Sequence, residues 1–395
     1  MSLTLSTRVR RLQPSPTLAV QARAAELIAA GQDVVSMGAG EPDFDTPEHI
    51  KQAAIAALAR GDTKYTAVDG TPALKRAVIA KLKRDNGLRY APDEVLVSVG
   101  GKQSFFNLCE ALLDAGDEVI VPAPYWVSYP EIVGFADGRP VIVSAGAEAR
   151  YKVSAEQVER AITPRTKLLV INSPSNPTGV CYTRAELAEF GAVLRRHPQV
   201  LLATDDMYER ILWAPEPFAN VLMLCPDLRE RCIILNGVSK AYSMTGWRIG
   251  YAAGPKALIK AMKNVQSQST SNPTSIAQAA AVAALDGDQS CVAEMTRTFQ
   301  RRHARVLEGL RSIPGVRAVA ADGAFYSFPD CREAMARLGM ADDVKLAEHL
   351  LGKHGLAVVP GSAFGAPGHL RLSYATSDAN LAKALERLGA GLTGR

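Results

Sequence analysis

The stretch Cys232-Ile233-Ile234-Leu235-Asn236-Gly237-Val238-Ser239-Lys240-Ala241-Tyr242-Ser243-Met244-Thr245-Gly246-Trp247-Arg248-Ile249-Gly250-Tyr251-Ala252-Ala253 decides how this chain is read. Two apolar runs of strand length, Cys232 to Leu235 and Ile249 to Ala253, enclose a segment carrying Lys240, Trp247 and Arg248. Aliphatic residues, glycines and aromatics around Lys240 point to a partly desolvated site, where the ammonium form is disfavoured and the free amine becomes a nucleophile. Such an amine forms a Schiff base with an aldehyde cofactor. Taken alone, Lys240 also fits a lysine snorkelling out of a buried segment.

Outward from this stretch, further strand-length apolar runs occur at Val95 to Val99, Glu118 to Val121, Val141 to Val143, Lys167 to Ile171 and Val200 to Ala203. They alternate with helical patterns, which predicts an α/β unit around a mainly parallel sheet. Several helix starts are marked. Thr46-Pro47-Glu48 offers a capping hydroxyl and a proline at the first helical position, and Thr71-Pro72 repeats the device, with Asn86-Gly87 as the stop. Ser154 with Gln157, and Thr183 with Glu186, have capping-box spacing.

The organisation predicts a large domain over 45–290 and a smaller one from both chain ends, 1–44 and 291–395. After Asp286 the pattern changes to a long charged helical stretch, followed by short strand-like segments at Gly323 to Phe328, Leu356 to Val359 and Leu370 to Tyr374.

Composition narrows the function classes. With 395 residues, 47% hydrophobic and 22% charged, the chain can bury a large core in two or three domain-sized units. Its net charge of +5 is spread along the chain without the basic block that marks nucleic-acid arms, and suits small anionic ligands at least as well. Six dispersed cysteines without a CxxC pair, and histidines without metal-ligand spacing, predict neither a metal site nor a redox dithiol and fit a cytoplasmic setting. No stretch approaches the ~20 apolar residues of a membrane span. Arg8, Arg10 and Arg11 resemble the end of a targeting peptide, but Pro14 and Pro16 interrupt the pattern, and no secretory apolar core precedes them.

Chemistry-bearing residues gather where strands end. Asp205 and Tyr208 follow the Val200 to Ala203 run, so Asp205 would emerge at the mouth of the sheet, where a protonated pyridine nitrogen is one partner for it. A capping or solvated acid is the plain alternative. Asn176 lies in Asn172-Ser173-Pro174-Ser175-Asn176-Pro177-Thr178-Gly179, a proline-fixed loop that could orient its amide, or an ordinary turn. Ser98-Val99-Gly100-Gly101-Lys102-Gln103-Ser104 has the strand, glycine turn and helix order that aims backbone N–H groups at a phosphate, yet Leu96 stands where a Walker loop needs its first glycine. Gly38-Ala39-Gly40 is followed by Glu41-Pro42-Asp43 and fails the dinucleotide fingerprint. Arg248 could fork a phosphate or sit in a surface ion pair. Trp126 could stack on a ring or belong to the core. Arg371, within a strand-like run, could grip a carboxylate bidentately or form a structural ion pair.

Taken together, Gly40, Tyr65, Gly101-Lys102, Trp126, Asn176-Pro177-Thr178-Gly179, Asp205 with Tyr208, Ser239-Lys240, Arg248 and Arg371 resemble, in order and spacing, the class I and II aminotransferases that use pyridoxal 5′-phosphate. The resemblance covers nearly the whole chain. It implies the type I fold of pyridoxal-phosphate transferases, with a mainly parallel seven-stranded sheet in the large domain and a smaller α/β domain. Lys240 would carry the cofactor and move a proton on the substrate. Asp205 would hold the pyridine nitrogen, Asn176 and Tyr208 the ring hydroxyl, and Trp126 the ring face. Arg248 with the Gly101-Lys102 turn would hold the phosphate, Arg371 the α-carboxylate with Gly40 beside it, and Tyr65 the phosphate of a neighbouring subunit in a homodimer.

Within the family, Gly38 to Pro47 and Met244 to Arg248 resemble the bacterial type of aspartate aminotransferase. That branch implies ping-pong transfer from L-aspartate to 2-oxoglutarate, with Lys102 on the substrate's distal carboxylate and Ser15 and Thr17 nearby. Relatives on the same framework take aromatic, prephenate or neutral substrates. Asp206-Met207 stands where Glu-Ile is common, and Gly237 where some relatives carry a phosphate-binding serine. Two other classes compete. A nicotinamide oxidoreductase needs a glycine fingerprint, which is missing, and a regulator on this fold needs a DNA-binding extension, for which the residues before Gly38 are too few.

Overall fold

The computed structural model describes residues 3–14 and 16–394. In chain order its strands are β1 (Val35–Ser36), β2 (Val95–Ser98), β3 (Glu118–Ala123), β4 (Arg139–Ser144), β5 (Thr166–Asn172), β6 (Leu201–Asp205), β7 (Cys232–Gly237), β8 (Gly250–Ala253), β9 (Tyr326–Ser327), β10 (Leu356–Ala357), β11 (Val359–Pro360) and β12 (Leu370–Ser373). Strands β2 to β8 form one seven-stranded sheet in the order β2-β8-β7-β6-β5-β3-β4. Every pairing among β3, β4, β5, β6 and β7 is parallel.

The exception is β8, antiparallel to both β2 and β7. Its direction follows from the connection. Between Gly237 and Gly250 the chain makes only one short 3-10 turn, Thr245–Trp247, and without a crossover helix two adjacent strands must run in opposite directions. Lys240 therefore sits in a strand reversal at the carboxyl end of β7.

Alternate strand residues serve two cores, one on each face of the sheet. Val95 and Val97 belong with Ile120, Leu169, Leu202 and Ile234 in one buried cluster, while Leu96 belongs with Val119, Leu168, Ala203 and Ile233 in the other. Helices Glu48–Ala59, Pro72–Asn86 and Ser275–Asp286 supply the first, and Gly101–Leu112, Ser128–Phe135 and Lys256–Ser267 the second. With both faces covered, the strands read as continuous apolar runs, and each fully buried Val, Leu or Ile side chain contributes ~1.5–3 kcal/mol.

A third cluster joins Val35 and Met37 to residues from Met295 to Leu392, with Tyr208 and Ile211 reaching in from the loop after β6. Here the two chain ends meet. β1 pairs in parallel with β10, β9 and β11 flank β12, and Arg387 binds Asp33 at 2.6 Å. This is the smaller domain.

Most helix signals act as read. Thr71 accepts from the Leu74 amide with Pro72 opening the helix, Gly87 ends it in the left-handed region at φ 70°, and both capping boxes are formed. Thr46 does not cap. Pro47, whose ring has no group to cap with, is the capping position of Glu48–Ala59, and the Thr46 hydroxyl before it is taken by Ser243 and Trp247 from a distant loop. Here a tertiary partner wins over a local preference.

Among the described residues all six cysteines are free, no cluster of His, Cys, Asp and Glu could hold a metal ion, and no helix is long and apolar enough to cross a membrane.

Candidate active site

A cavity of about 380 Å³ opens at the carboxyl ends of β2, β5, β6 and β7, where open α/β sheets bind ligands. Register explains the convergence: Asn172 pairs with Asp205, and Asp205 with Leu235, so the ends of three strands lie abreast. Lys240 projects from the reversal after β7, Gly101 and Lys102 open the helix after β2, and Arg371 arrives from β12 of the smaller domain.

The Lys240 ammonium donates to the Gly40 carbonyl and faces the Phe325 ring at 5.9 Å. Burial lowers its pKa to about 8, against Glu41, which favours the charge, and with Arg371 and Arg248, which oppose it. A lysine so placed is partly a free amine near neutral pH. Its condensation with an added aromatic aldehyde should accelerate as pH rises and level off above about 8, where the amine is already deprotonated. Stopped-flow absorbance against pH reads this directly; a rise continuing to the ordinary lysine range would show that the amine is not desolvated.

Asp205 is held by two donors, the Tyr129 hydroxyl at 2.5 Å and the Met207 amide at 3.3 Å, and burial raises its pKa. No cation pairs with it among the described residues. A carboxylate in this setting is completed by a cationic N–H from a ligand. Trp126 packs edge-on against Tyr129, with ring centroids 5.2 Å apart, and forms an adjoining wall. Asn172, at the end of β5, donates to the Asp205 carbonyl at 2.9 Å and accepts from the Asn176 amide at 2.8 Å, which sets the Asn176 loop beside the aspartate. The Tyr208 hydroxyl lies 3.0 Å from that of Tyr326.

At the other end lies an anion cradle. Gly100 has φ 87° and no capping side chain, and a Cβ there would fall 2.4 Å from Arg248 Nη2. A Cβ on Gly250 would fall 2.3 Å from the Gly101 nitrogen, so only glycine lets β8 touch this turn. The first amides of helix Gly101–Leu112 thus stand bare beside Arg248, Lys102 and Ser239, an arrangement suited to phosphate. At Gly237 a Cβ would meet the Ile249 carbonyl oxygen at 3.0 Å, a tight fit that would require the neighbouring backbone to give by a few tenths of an ångström.

Arg371 is 2% exposed and has no carboxylate partner among the described residues. It donates to the Gly38 carbonyl at 2.7 Å and to Asn176 Oδ1 at 3.3 Å, lies between the Tyr326 and Phe364 rings, and leaves Nε unbonded. A buried guanidinium without an anion calls for one from a ligand.

Gly40, Gly101, Lys102, Trp126, Asn176, Asp205, Tyr208, Lys240, Arg248 and Arg371 therefore line one cavity, joined by Thr17. Tyr65 does not; it is 93% exposed and borders a separate surface groove with Arg60 and Ser275. Ser15 lies outside the described residues. The sequence reading assigned no role to Glu41, Tyr129, Asn172, Thr245 or Tyr326. Glu41, Asn172, Thr245 and Tyr129 stand inside stretches singled out for other residues, and Tyr326 inside the strand-like segment Gly323 to Phe328, to which no chemistry is assigned. The phosphate cradle, Asp205 without a cationic partner and the desolvated Lys240 amine together fit pyridoxal phosphate.

Comparison with known proteins agrees. The sequence model described as aminotransferase class I and II matches residues 32–388. The aspartate/prephenate aminotransferase of Nitrosomonas europaea is 56% identical over 98% of this chain and 100% of its own length. The aspartate aminotransferase of Geobacillus stearothermophilus is 51% identical over 97% and 98%. Among solved structures, the Rhizobium meliloti aspartate aminotransferase superposes with a TM-score of 0.94 at 48% identity, covering 99% of both chains. The Thermus thermophilus aspartate aminotransferase with maleate gives 0.93 at 48% identity over 99% and 100%.

Proposed function

Because this chain belongs to the class I and II aminotransferases and is a pyridoxal-phosphate enzyme, we propose that it moves the amino group of L-aspartate to 2-oxoglutarate in two ping-pong halves, with Lys240 as the cofactor-bearing amine. The observation that carries this reading is the set of four cations, Lys102, Lys240, Arg248 and Arg371, facing one cavity without an ion pair among the described residues. Glu41 and Asp205 line the same cavity without pairing with these cations, so a ligand with several anionic groups suits the site.

When bound, pyridoxal phosphate supplies an aldehyde for Schiff-base formation and a cationic ring that draws electrons from the substrate α-carbon. This chain's residues do the rest. Arg371 grips the α-carboxylate and, with Asn176 oriented by Asn172, fixes which bond faces Lys240. Lys240 would remove and return the α-proton; its lowered pKa of about 8 leaves a working fraction of free base. Asp205 keeps the ring nitrogen protonated, and Tyr129 and Met207 keep Asp205 in place. Tyr208 and Asn176 would hold the ring hydroxyl, Trp126 the ring face, and Arg248 with Ser239 and the backbone amides of the Gly101-Lys102 turn the phosphate.

For the distal carboxylate we assign Lys102, whose ammonium lies 5.3 Å from the Trp126 ring and whose pKa is lowered by burial and by Arg248. Lys102→Ala should reduce kcat/KM for aspartate by roughly 10- to 100-fold, the ~1.5–3 kcal/mol of a hydrogen bond to a charged group. The value for phenylalanine should barely change. Equal losses would remove Lys102 from substrate selection, and a protein whose visible cofactor band does not bleach with aspartate would defeat the donor assignment.

A second reading has prephenate as amino acceptor. It is supported by the name of the Nitrosomonas europaea relative and by a cavity mouth bordered by Thr17, Leu18 and Gln21 of helix Pro16–Ala29. A panel of oxo acids against the aspartate-reduced enzyme separates the two.

We also propose a cytoplasmic homodimer in which Tyr65 completes the neighbour's phosphate site; Ile55 and Leu58, each 56% exposed, lie on the helix preceding Tyr65. The smaller domain is proposed to comprise 1–44 and 291–395, in keeping with the cluster that unites Val35 and Met37 with residues beyond Met295.

A further inference from the structure

The two stretches singled out in the sequence, Gly38 to Pro47 and Met244 to Arg248, lie against each other. Thr46 is the centre of the contact. Buried at 7% exposure, its hydroxyl donates to the Ser243 carbonyl at 2.6 Å and accepts from Trp247 Nε1 at 3.0 Å. Nearby, Thr245 Oγ1 donates to Glu41 at 2.7 Å.

The loop so held is unusual. Ser243 and Arg248 both have left-handed backbones, at φ 50° and 58°, a region sparsely populated by non-glycine residues. Such conformations persist where the surroundings over-determine them. Arg248 is the end point: its guanidinium donates to the Thr245 carbonyl at 2.8 Å and to Val99 at 3.4 Å, beside the glycine turn of the anion cradle. The helix that Thr46 precedes does not use its hydroxyl, so removing the hydroxyl takes no cap from Glu48–Ala59.

We propose that Thr46 is a positioning residue for the cofactor's phosphate site, tying the Ser243 to Arg248 loop in the backbone that aims Arg248 at the cavity. It acts through Arg248 and touches no ligand itself. The proposal rests on Arg248 binding the phosphate.

The test is the release of pyridoxamine 5′-phosphate from the full-length holoenzyme converted to its amino form, which has no bond to Lys240, followed by the fluorescence of the released cofactor. Thr46→Val keeps the shape and removes both hydrogen bonds; it should speed release about tenfold, equivalent to ~1.4 kcal/mol. Thr46→Ser keeps the hydroxyl and should restore the wild-type rate to within about twofold. Trp247→Phe removes one donor and keeps an aromatic ring, giving a smaller acceleration and a second reading should Thr46→Val fail to fold. A lowered melting temperature with unchanged release in Thr46→Val and Trp247→Phe would mark a purely structural contact and overturn the proposal, as would Thr46→Ser releasing as fast as Thr46→Val. Arg248→Leu separates the premise. If it accelerates release while the Thr46 and Trp247 variants do not, the proposal alone falls; if it does not, the phosphate reading falls and the proposal with it.

Discussion

Lys240→Ala should lose transamination by at least ~10⁴-fold, the upper end of what a positioned proton-transfer group contributes. The loss has two sources. The alanine cannot bond the cofactor, and it cannot carry the proton from the substrate. The neighbours do not substitute for it: Arg371 and Arg248 carry guanidinium groups in place of a primary amine, and Lys102 is placed against Trp126. Cofactor should still bind noncovalently through the cradle of Gly101, Ser239 and Arg248, so the variant should bind pyridoxal phosphate while lacking the visible band of a lysine-bound form. A band unchanged from wild type would mean that another amine carries the cofactor. Circular dichroism should match wild type, because the side chain lines the cavity and belongs to none of the buried apolar clusters.

Asp205→Asn should lower kcat/KM by roughly two to three orders of magnitude while leaving pyridoxamine-phosphate release nearly unchanged. One preorganised electrostatic contact to charge that develops in the transition state is worth ~2.7–4 kcal/mol. The asparagine keeps an oxygen for the Tyr129 hydroxyl, so the strand end should not rearrange, and the phosphate cradle, built on other strands, is untouched. What disappears is the negative charge that keeps the ring nitrogen protonated, and so the ring's capacity to draw electrons from the α-carbon. Steady-state kinetics with release measured alongside separates this from a binding defect. A change within about twofold in kcat/KM would remove Asp205 from the chemistry, because a charge-assisted contact alone is worth more than that.

The position of these two residues is legible in the sequence for one reason. Lys240 lies between two strand runs, and Asp205 at the end of one, so strand periodicity alone places both at a sheet's carboxyl edge. Arg371 was legible as a charge inside an apolar run. Tyr129 and Tyr326 were not legible, because their hydroxyls meet Asp205 and Tyr208 across chain separations that no local pattern encodes. Thr46 was misread for the same reason: Thr-Pro-Glu is a sound capping signature, and only the arrival of Trp247 and Ser243 redirects its hydroxyl.

By itself the sequence determined the alternation of strands and helices and most helix ends, while the roles expected of the cofactor and substrate residues came from their ordered resemblance to a family. Hydrophobic period, caps and residue chemistry act within a few positions along the chain. Tertiary structure alone decided that β8 runs against its neighbours, that four cations meet in one cavity without carboxylate partners among the described residues, and that Thr46 braces the loop behind Arg248. Each of these depends on strand order and on segments hundreds of residues apart coming into contact, which is set by packing both faces of the sheet and not by any local preference.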